Sequence, residues 1–469
     1  MKKKGFKMPA VFTILLAIIA IVAIITQFVP GVTPATFADF FMAPVNGFGD
    51  ALDVSLFVLV IGGFLGVVNE TGALNNGIGA VVKKLNGKEI LIIPIVMFLI
   101  SLGGTTYGMA EETIALYAIV TVTLLAAGFD ALVAVSTILF GSTAGVMGST
   151  VNPFVVSAAL DALAGAELDI AIDPSIVIFV NGVAWLAVYA LFCVFTMSYA
   201  KKVKADKTKS LLSEEDLATI NERYGEGKGE AEETEFTGKQ KLVLCVFAFA
   251  FIVMIMSVLP WWSFNVTIFD GWTSILTGAQ FGDWWFGDLT GWFFWLAVII
   301  GLFYGYSDGK IVKAFVAGAC DMVSVAFVIA VSRGISVVMG STGLSDVILN
   351  AAESALAGTS GIVFIVGVYL LYIVLSFLIP SSSGLATVSM PVIGGLAARL
   401  GLPAEIVICA LSGASASINA ISPTSGVTMG GLEVAGVGFG TWLKYATKVV
   451  VLAIVLHMAI LAVGMMIYA

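Results

Sequence analysis

The sequence predicts an all-α polytopic membrane protein built as two inverted repeats, each with a re-entrant hairpin and a broken transmembrane helix. Three observations lead there. Of 469 residues 59% are hydrophobic and 11% charged, the mean hydropathy is +1.05, and apolar runs of spanning length recur from end to end. Four runs of small polar residues interrupt those stretches, at 101–108 and 148–153 in the first half and at 380–384 and 415–426 in the second. The halves also align. Phe57-Val58-Leu59-Val60-Ile61, running on to Leu74, falls without gaps on Phe327-Val328-Ile329-Ala330-Val331, running on to Leu344; Gly141-Ser142-Thr143 and Thr150-Val151-Asn152 fall opposite Gly413-Ala414-Ser415 and Ser422-Pro423-Thr424. Apolar helices resemble one another by composition, so the shared order of helix, polar-tipped hairpin, broken helix and helix carries the argument.

The first repeat, residues 1–199, opens with a helix at 8–29. Met1-Lys2-Lys3-Lys4 before an apolar run resembles a signal peptide, but the run is long enough to span and no small-residue cleavage site follows, so the helix is read as retained. Crossings follow at 53–69, 131–164 (broken) and 174–198, with the hairpin at 90–126. Residues 200–240 form a hydrophilic insert read as a cytoplasmic linker: Ser213 to Ile220 has the acidic first turn of a short soluble helix, and Gly225 to Gly229 reads as flexible chain. The second repeat, 241–469, adds a leading helix at 241–261, then crossings at 288–306, 321–340, 403–435 (broken) and 440–468, with its hairpin at 360–398. Lys2, Lys3, Lys4 and Lys7 place the amino terminus in the cytoplasm. Lys83, Lys84, Lys88, the cluster from Lys201 to Lys241, Lys310, Lys313, Lys444 and Lys448 then share that side. Asp39, Asp50, Glu167, Asp169, Asp270, Asp283 and Glu353 face outward, and Arg399 is the one base that lands with them. The extra crossing inverts the second repeat relative to the first. Seven of the nine Trp, from Trp261 to Trp295, flank the largest outer loop as an interfacial belt. The chain is expected in the cell (inner) membrane; a rival count of twelve plain helices would leave the hairpin tips at a surface.

Composition excludes several classes. The net charge of −9 is spread over loops and the insert, so no face suits a polyanion and nucleic acid is not a partner. Cys193, Cys245, Cys320 and Cys409 have neither paired nor ligand-like spacing and are read as small buried hydrophobes. No cofactor is implied. No constellation of His, Cys and carboxylate suggests an enzyme, and the polar runs are too localised for a continuous pore.

Irregular backbone survives at membrane depth only where protein buries it or it lines a wet cavity. Matched interruptions in two halves mark the midplane site of a secondary transporter, whose half-helix amino termini and free carbonyls hold anions and ions. Candidate oxygens for a substrate are Thr105, Thr106, Asn152, Ser381, Ser382, Ser383, Asn419 and Thr424. Ser149, Thr150, Ser417 and Ser422 are candidate ligands for a coupling ion, sodium or a proton. The alternative is that small polar residues only let helices pack closely. Glu111 and Glu112 follow the first tip; neighbours on a helix point about 100° apart, so one faces the cavity while the other caps the half-helix. Arg333, the only base inside a predicted span, either grips a substrate carboxylate or balances a buried Glu. His457 is read as structural.

Gly108-Met109-Ala110-Glu111-Glu112-Thr113, Gly87-Lys88-Glu89-Ile90-Leu91, Asn152-Pro153-Phe154 and Ser422-Pro423-Thr424-Ser425 resemble the YfcC group of the anaerobic four-carbon dicarboxylate carrier (DcuC-like) family, within the ion transporter superfamily. The resemblance covers essentially the whole chain. It implies a scaffold and a moving unit containing both hairpins and both broken helices, in a homodimer working by an elevator motion. The chain lacks the Ser-Asn-Thr hairpin signature of the dicarboxylate relatives, and the YfcC group is similar to transporters proposed to exchange arginine and ornithine. A dianion beside Glu111 and Glu112 would be repelled unless those groups were neutralised, whereas a cationic amino acid would not. The expected function is therefore transport or exchange of a basic amino acid, with sodium- or proton-coupled four-carbon dicarboxylate transport as the alternative.

Overall fold

The computed structural model of the chain describes residues 11–74, 76–77, 88–164, 172–225, 237–258, 261 and 266–469, apart from the side chains of Val11, Tyr107, Glu112, Ala115, Pro153, Asp161 and Ala164. The amino-terminal lysines, Lys83, Lys84, Glu167, Asp169, Gly227 and Gly229 lie outside the described residues. Every regular element described is helical, and eight helices are long and apolar enough to cross a membrane.

The first half runs α1 (Val11–Ile25), α2 (Phe37–Asp50), α3 (Leu52–Glu70), α4 (Ile92–Tyr107), α5 (Ile114–Ala126), α6 (Ala131–Met147), α7 (Ala158–Ala164) and α8 (Pro174–Ala205). The arms α4 and α5 make the predicted hairpin; α6 and α7 are the broken helix, joined through a π-helical turn at Pro153–Ser157. The insert holds α9 (Glu214–Tyr224), and α10 (Gly238–Val258) is the extra leading helix. The second half continues with α11 (Phe286–Tyr304), α12 (Asp308–Asp321), α13 (Val323–Thr342), α14 (Leu344–Leu356), α15 (Gly361–Leu378), α16 (Ser382–Ser389), α17 (Gly395–Arg399), α18 (Ala404–Asn419), α19 (Gly426–Ala435) and α20 (Phe439–Tyr468). Here α15 and α16 to α17 form the hairpin, while α18 and α19 form the broken helix.

Local chemistry starts and stops these elements. Thr36 and Asp39 form a capping box on α2, Asp130 caps α6 through Val133 N, and Asp173 caps α8 with Pro174 in the first turn. Three helices were not expected: α2, α12 and α14. The first two are short segments with little apolar length, held by close approach. A Cβ on Gly47 of α2 would lie 2.4 Å from the Ala330 carbonyl of α13, and one on Gly318 of α12 would lie 2.3 Å from the Gly62 carbonyl of α3. Small residues at four-residue spacing thus bring backbones together where side-chain burial is limited.

A second layer surrounds the breaks. The helices α6 and α18 pack on each other with α8 and α20 behind them; α4 lies on α6 and α15 on α18. Each hairpin's second arm reaches across, α5 to α19 and α16 to α7.

Two expectations need correction. The insert is not a plain linker over its described part: Asp216 accepts from Gly438 N and Thr441 Oγ1 at 2.6 Å each, Tyr224 donates to the Val434 carbonyl, and Arg223 pairs with Glu433. Nor are all four cysteines buried. Cys193 and Cys409 are, but Cys245 and Cys320 lie on exposed faces of α10 and α12.

Candidate functional site

The run at 101–108 does not break its helix; α4 continues through it to Tyr107. Its small residues serve packing, because a Cβ on Gly145 of α6 would lie 2.2 Å from the Ser101 carbonyl. The tip comes at Gly108, whose φ of +83° and whose contact with Asn152, 2.6 Å from where a Cβ would stand, both demand glycine. The run at 148–153 is a true break. Likewise α18 continues through Ser415 and Ser417 to Asn419, and the second break spans 420–425.

Tips and breaks converge on one cavity of about 450 Å³. Its first-half wall is Gly108, Ala110, Glu111, Ser142, Asn152 and Phe154. Its second-half wall is Ser381 to Gly384, with Ser415, Asn419, Thr424 and Thr428. A third side comes from Asp50, Asp53, Trp285, Ser332 and Arg333. Both hairpin tips line this cavity, and their residues Gly108, Glu111 and Ser381 to Gly384 are partly buried.

Of the predicted site residues, Glu111, Asn152, Arg333, Ser381, Ser382, Ser383, Asn419 and Thr424 line the cavity. The Glu112 side chain lies outside the described residues. Thr105, Thr106, Ser149, Thr150, Ser417 and Ser422 stand behind the wall. Thr105 Oγ1 donates to the Gly148 carbonyl, Thr106 Oγ1 bonds back to Leu102 O at 2.7 Å, and Thr150 Oγ1 donates to Thr105 O at 3.0 Å. Ser149 donates to Val146 O and receives Asn152 Nδ2 at 2.9 Å. Ser417 bonds back to Ala414 O, and Ser422 shares a hydrogen with Thr424 at 2.6 Å. In most of these bonds the hydroxyl donates its hydrogen to a backbone carbonyl, so its oxygen keeps lone pairs. Two lining residues carry a buried polar atom without a partner among the described residues, Asn419 Oδ1 and Ser415 Oγ. Asn419 Nδ2 meanwhile donates to the Pro380 carbonyl at 3.2 Å, tying break to hairpin tip.

Arg333 lies near two carboxylates. Its Nε lies 3.7 Å from Asp50 Oδ2, and it stands within electrostatic range of Glu111. Sequence reasoning missed Asp50, Asp53 and Trp285: it placed Asp50 in an outer loop and Trp285 in an interfacial belt, and gave Asp53 no role. The Trp285 and Phe154 rings meet at a tilt of 39° with centroids 4.6 Å apart, both on the cavity wall.

The profile of the C4-dicarboxylate anaerobic carrier family, DcuC, matches residues 33–466. An uncharacterized protein of Haemophilus influenzae is 32% identical over 425 residues, 91% of this chain and 78% of that protein. A candidate basic amino acid antiporter, YfcC of Escherichia coli K12, is 28% identical over 413 residues, 85% of this chain and 74% of its own length. Among solved structures, Neisseria gonorrhoeae MtrF, described with a class of antimetabolite efflux pumps, superposes over 99% of this chain and 97% of its own at a TM-score of 0.47 and 15% identity. The Alcanivorax borkumensis YdaH transporter covers 97% and 98% at 0.45 and 15%. This multi-pass membrane protein is a transporter and not an enzyme, and it belongs to the C4-dicarboxylate anaerobic carrier family.

Proposed function

We propose that the chain is a secondary transporter or exchanger of a basic amino acid, of the size and charge of arginine or ornithine, held in the central cavity. One observation carries the reading: three carboxyl groups, Asp50, Asp53 and Glu111, line the cavity against a single guanidinium, Arg333. A cationic side chain finds compensation there, while a dianion meets more like charge than opposite. The substrate carboxylate rests on Arg333 and the first turn of α16 at Ser381 to Gly384, and its amino group reaches Asn419 Oδ1 and Ser415 Oγ. The name given to the E. coli relative agrees with this. The family's own description and the Arg333 guanidinium favour the second reading, a sodium- or proton-coupled four-carbon dicarboxylate.

The architecture belongs to the same proposal. Residues 1–199 and 241–469 are inverted repeats joined by 200–240; support comes from the paired crossings α2 with α13 and α12 with α3, and from the reciprocal reach of α5 to α19 and α16 to α7. The hairpins, the broken helices, α8 and α20 move as one unit against a scaffold of α1 to α3 and α10 to α13, in a homodimer of the inner membrane.

Uptake of radiolabelled arginine, leucine and succinate into proteoliposomes, with and without sodium and proton gradients, tests the substrate. Arginine counterflow is expected, and Glu111→Gln should lower it at least about 10-fold because the amide keeps shape and loses charge. Succinate exchange by both proteins, with no arginine binding by the parent, would promote the second reading.

A further inference from the structure

We propose that His457 is a positioning residue for the central site, holding the first helix break in the geometry that turns Asn152 and Phe154 to the cavity. The chain's only histidine sits in the middle of α20, fully buried. Its Nε2 lies 3.0 Å from the Met147 carbonyl, the last helical residue of α6. A carbonyl only accepts, so Nε2 carries the hydrogen and Nδ1 keeps its lone pair, for which the described residues offer no partner. The bond to Met147 crosses to the first half, while the ring's other contacts lie within the second half. A Cβ on Gly413 of α18 would lie 2.2 Å from its Cε1, and the Tyr369 ring of α15 is 5.6 Å away centroid to centroid.

The bond matters because α6 ends at Met147 and the first break begins there. A broken helix leaves its last carbonyls without intrahelical partners, and at membrane depth water does not supply them. Gly148 N meets the Ala144 and Gly145 carbonyls, and side chains meet those from Val146 to Ser149. Ser149 Oγ bonds Val146 O, His457 and Ser412 share Met147 O, Thr105 takes Gly148 O, and Asn181 takes Ser149 O. Thr150 N in turn donates to Thr105 O at 2.8 Å. Asn152 hangs from this clamp through Ser149 Oγ, and its own Oδ1 accepts from Phe154 N at 2.9 Å. Ser412 reaches Met147 O only at 3.3 Å, which leaves His457 as the shorter bond. One ring thus keys the first break to the second broken helix and to the second hairpin.

The test compares His457→Met, flexible and without a donor, with His457→Gln, which keeps one, and with Gly413→Ala, which displaces the ring while leaving it in the sequence. Hydrogen exchange is followed on the full-length protein in detergent without any solute. We expect the Thr150 and Val151 amides to exchange about 10-fold faster in His457→Met and in Gly413→Ala, near the parent rate in His457→Gln, and other helices to be unchanged. Binding of radiolabelled arginine should fall by a similar factor in the first two variants and recover in the third. Parent-like exchange in His457→Met and Gly413→Ala, or equal acceleration in His457→Gln, would overturn the role. Exchange raised throughout the molecule would also overturn it, by making the residue a general packing element. If the parent binds no arginine, the substrate reading falls while the exchange pattern still decides the role of His457.

Discussion

Asp50 occupies the last position of α2, where the helix dipole disfavours a carboxylate, and half of its side chain is exposed. Among the described residues its one ion-pair partner is Arg333 at 3.7 Å. Such a pair contributes at most about 1 kcal/mol to stability, so its position at the cavity wall is better explained by the solute than by the fold. The substitution Asp50→Asn should therefore leave thermal stability within about 1 kcal/mol. Its effect on transport has opposite signs under the two substrate readings. A basic amino acid loses a compensating carboxylate and should bind several-fold more weakly, whereas a dicarboxylate gains a freed guanidinium and should bind more tightly. Competition binding against arginine and succinate reads the sign directly. Sequence alone missed this residue because α2 itself was not foreseen; once 37–50 is helical, a carboxylate at its carboxyl end is an oddity that asks for a partner.

At the scale of elements, the long apolar spans, both hairpins and both breaks were legible, because a polar run inside an apolar stretch has few structural outlets. What periodicity hid was which residues of a run face the cavity. Ser101 to Thr106 stay helical because Gly104 and Gly145 let α4 and α6 touch, and that contact lies about 40 residues away in sequence. The docking of the insert was equally hidden, since the partners of α9 sit at 433–441. Burial works to raise the Asp216 carboxyl, but hydrogen bonds from Ser213, Thr441 and Gly438 outweigh it and hold the group below its ordinary value. A depressed folded value stabilises docking while the carboxylate is ionised. That contribution is complete above the ordinary carboxylate value near about pH 4 and is lost as pH falls through the lower folded value. Proteolysis of the 206–225 segment should thus be unchanged from pH 8 to about pH 5 and rise below about pH 4. Asp216→Ala should release it already at neutral pH, by about 1–3 kcal/mol. Equal protection of Asp216→Ala and parent at neutral pH would show that Arg223 and Tyr224 hold α9 without it.

For the whole molecule the decisive quantity is the side of the membrane on which each loop lies, because two repeats related by inversion must present their hairpins to opposite faces. The crossings α2 with α13 and α12 with α3 join the halves in the same way, as a pseudo-two-fold relation requires. In the proposed inverted arrangement an odd number of crossings separates corresponding elements, and α10, long and apolar enough to cross, would supply the extra one. Single cysteines at the exposed positions Glu214 and Lys310 should react with a membrane-impermeant maleimide only when the cytoplasmic face is opened, and those at Asp270 and Asp346 in intact cells. Cys245 and Cys320 must first be replaced, since both are exposed. Labelling of Asp346 from the same side as Lys310 would mean that α13 does not cross. The halves would then be parallel, the cavity would open through α14 instead of between scaffold and moving unit, and an elevator motion of the hairpins would have no scaffold to slide against.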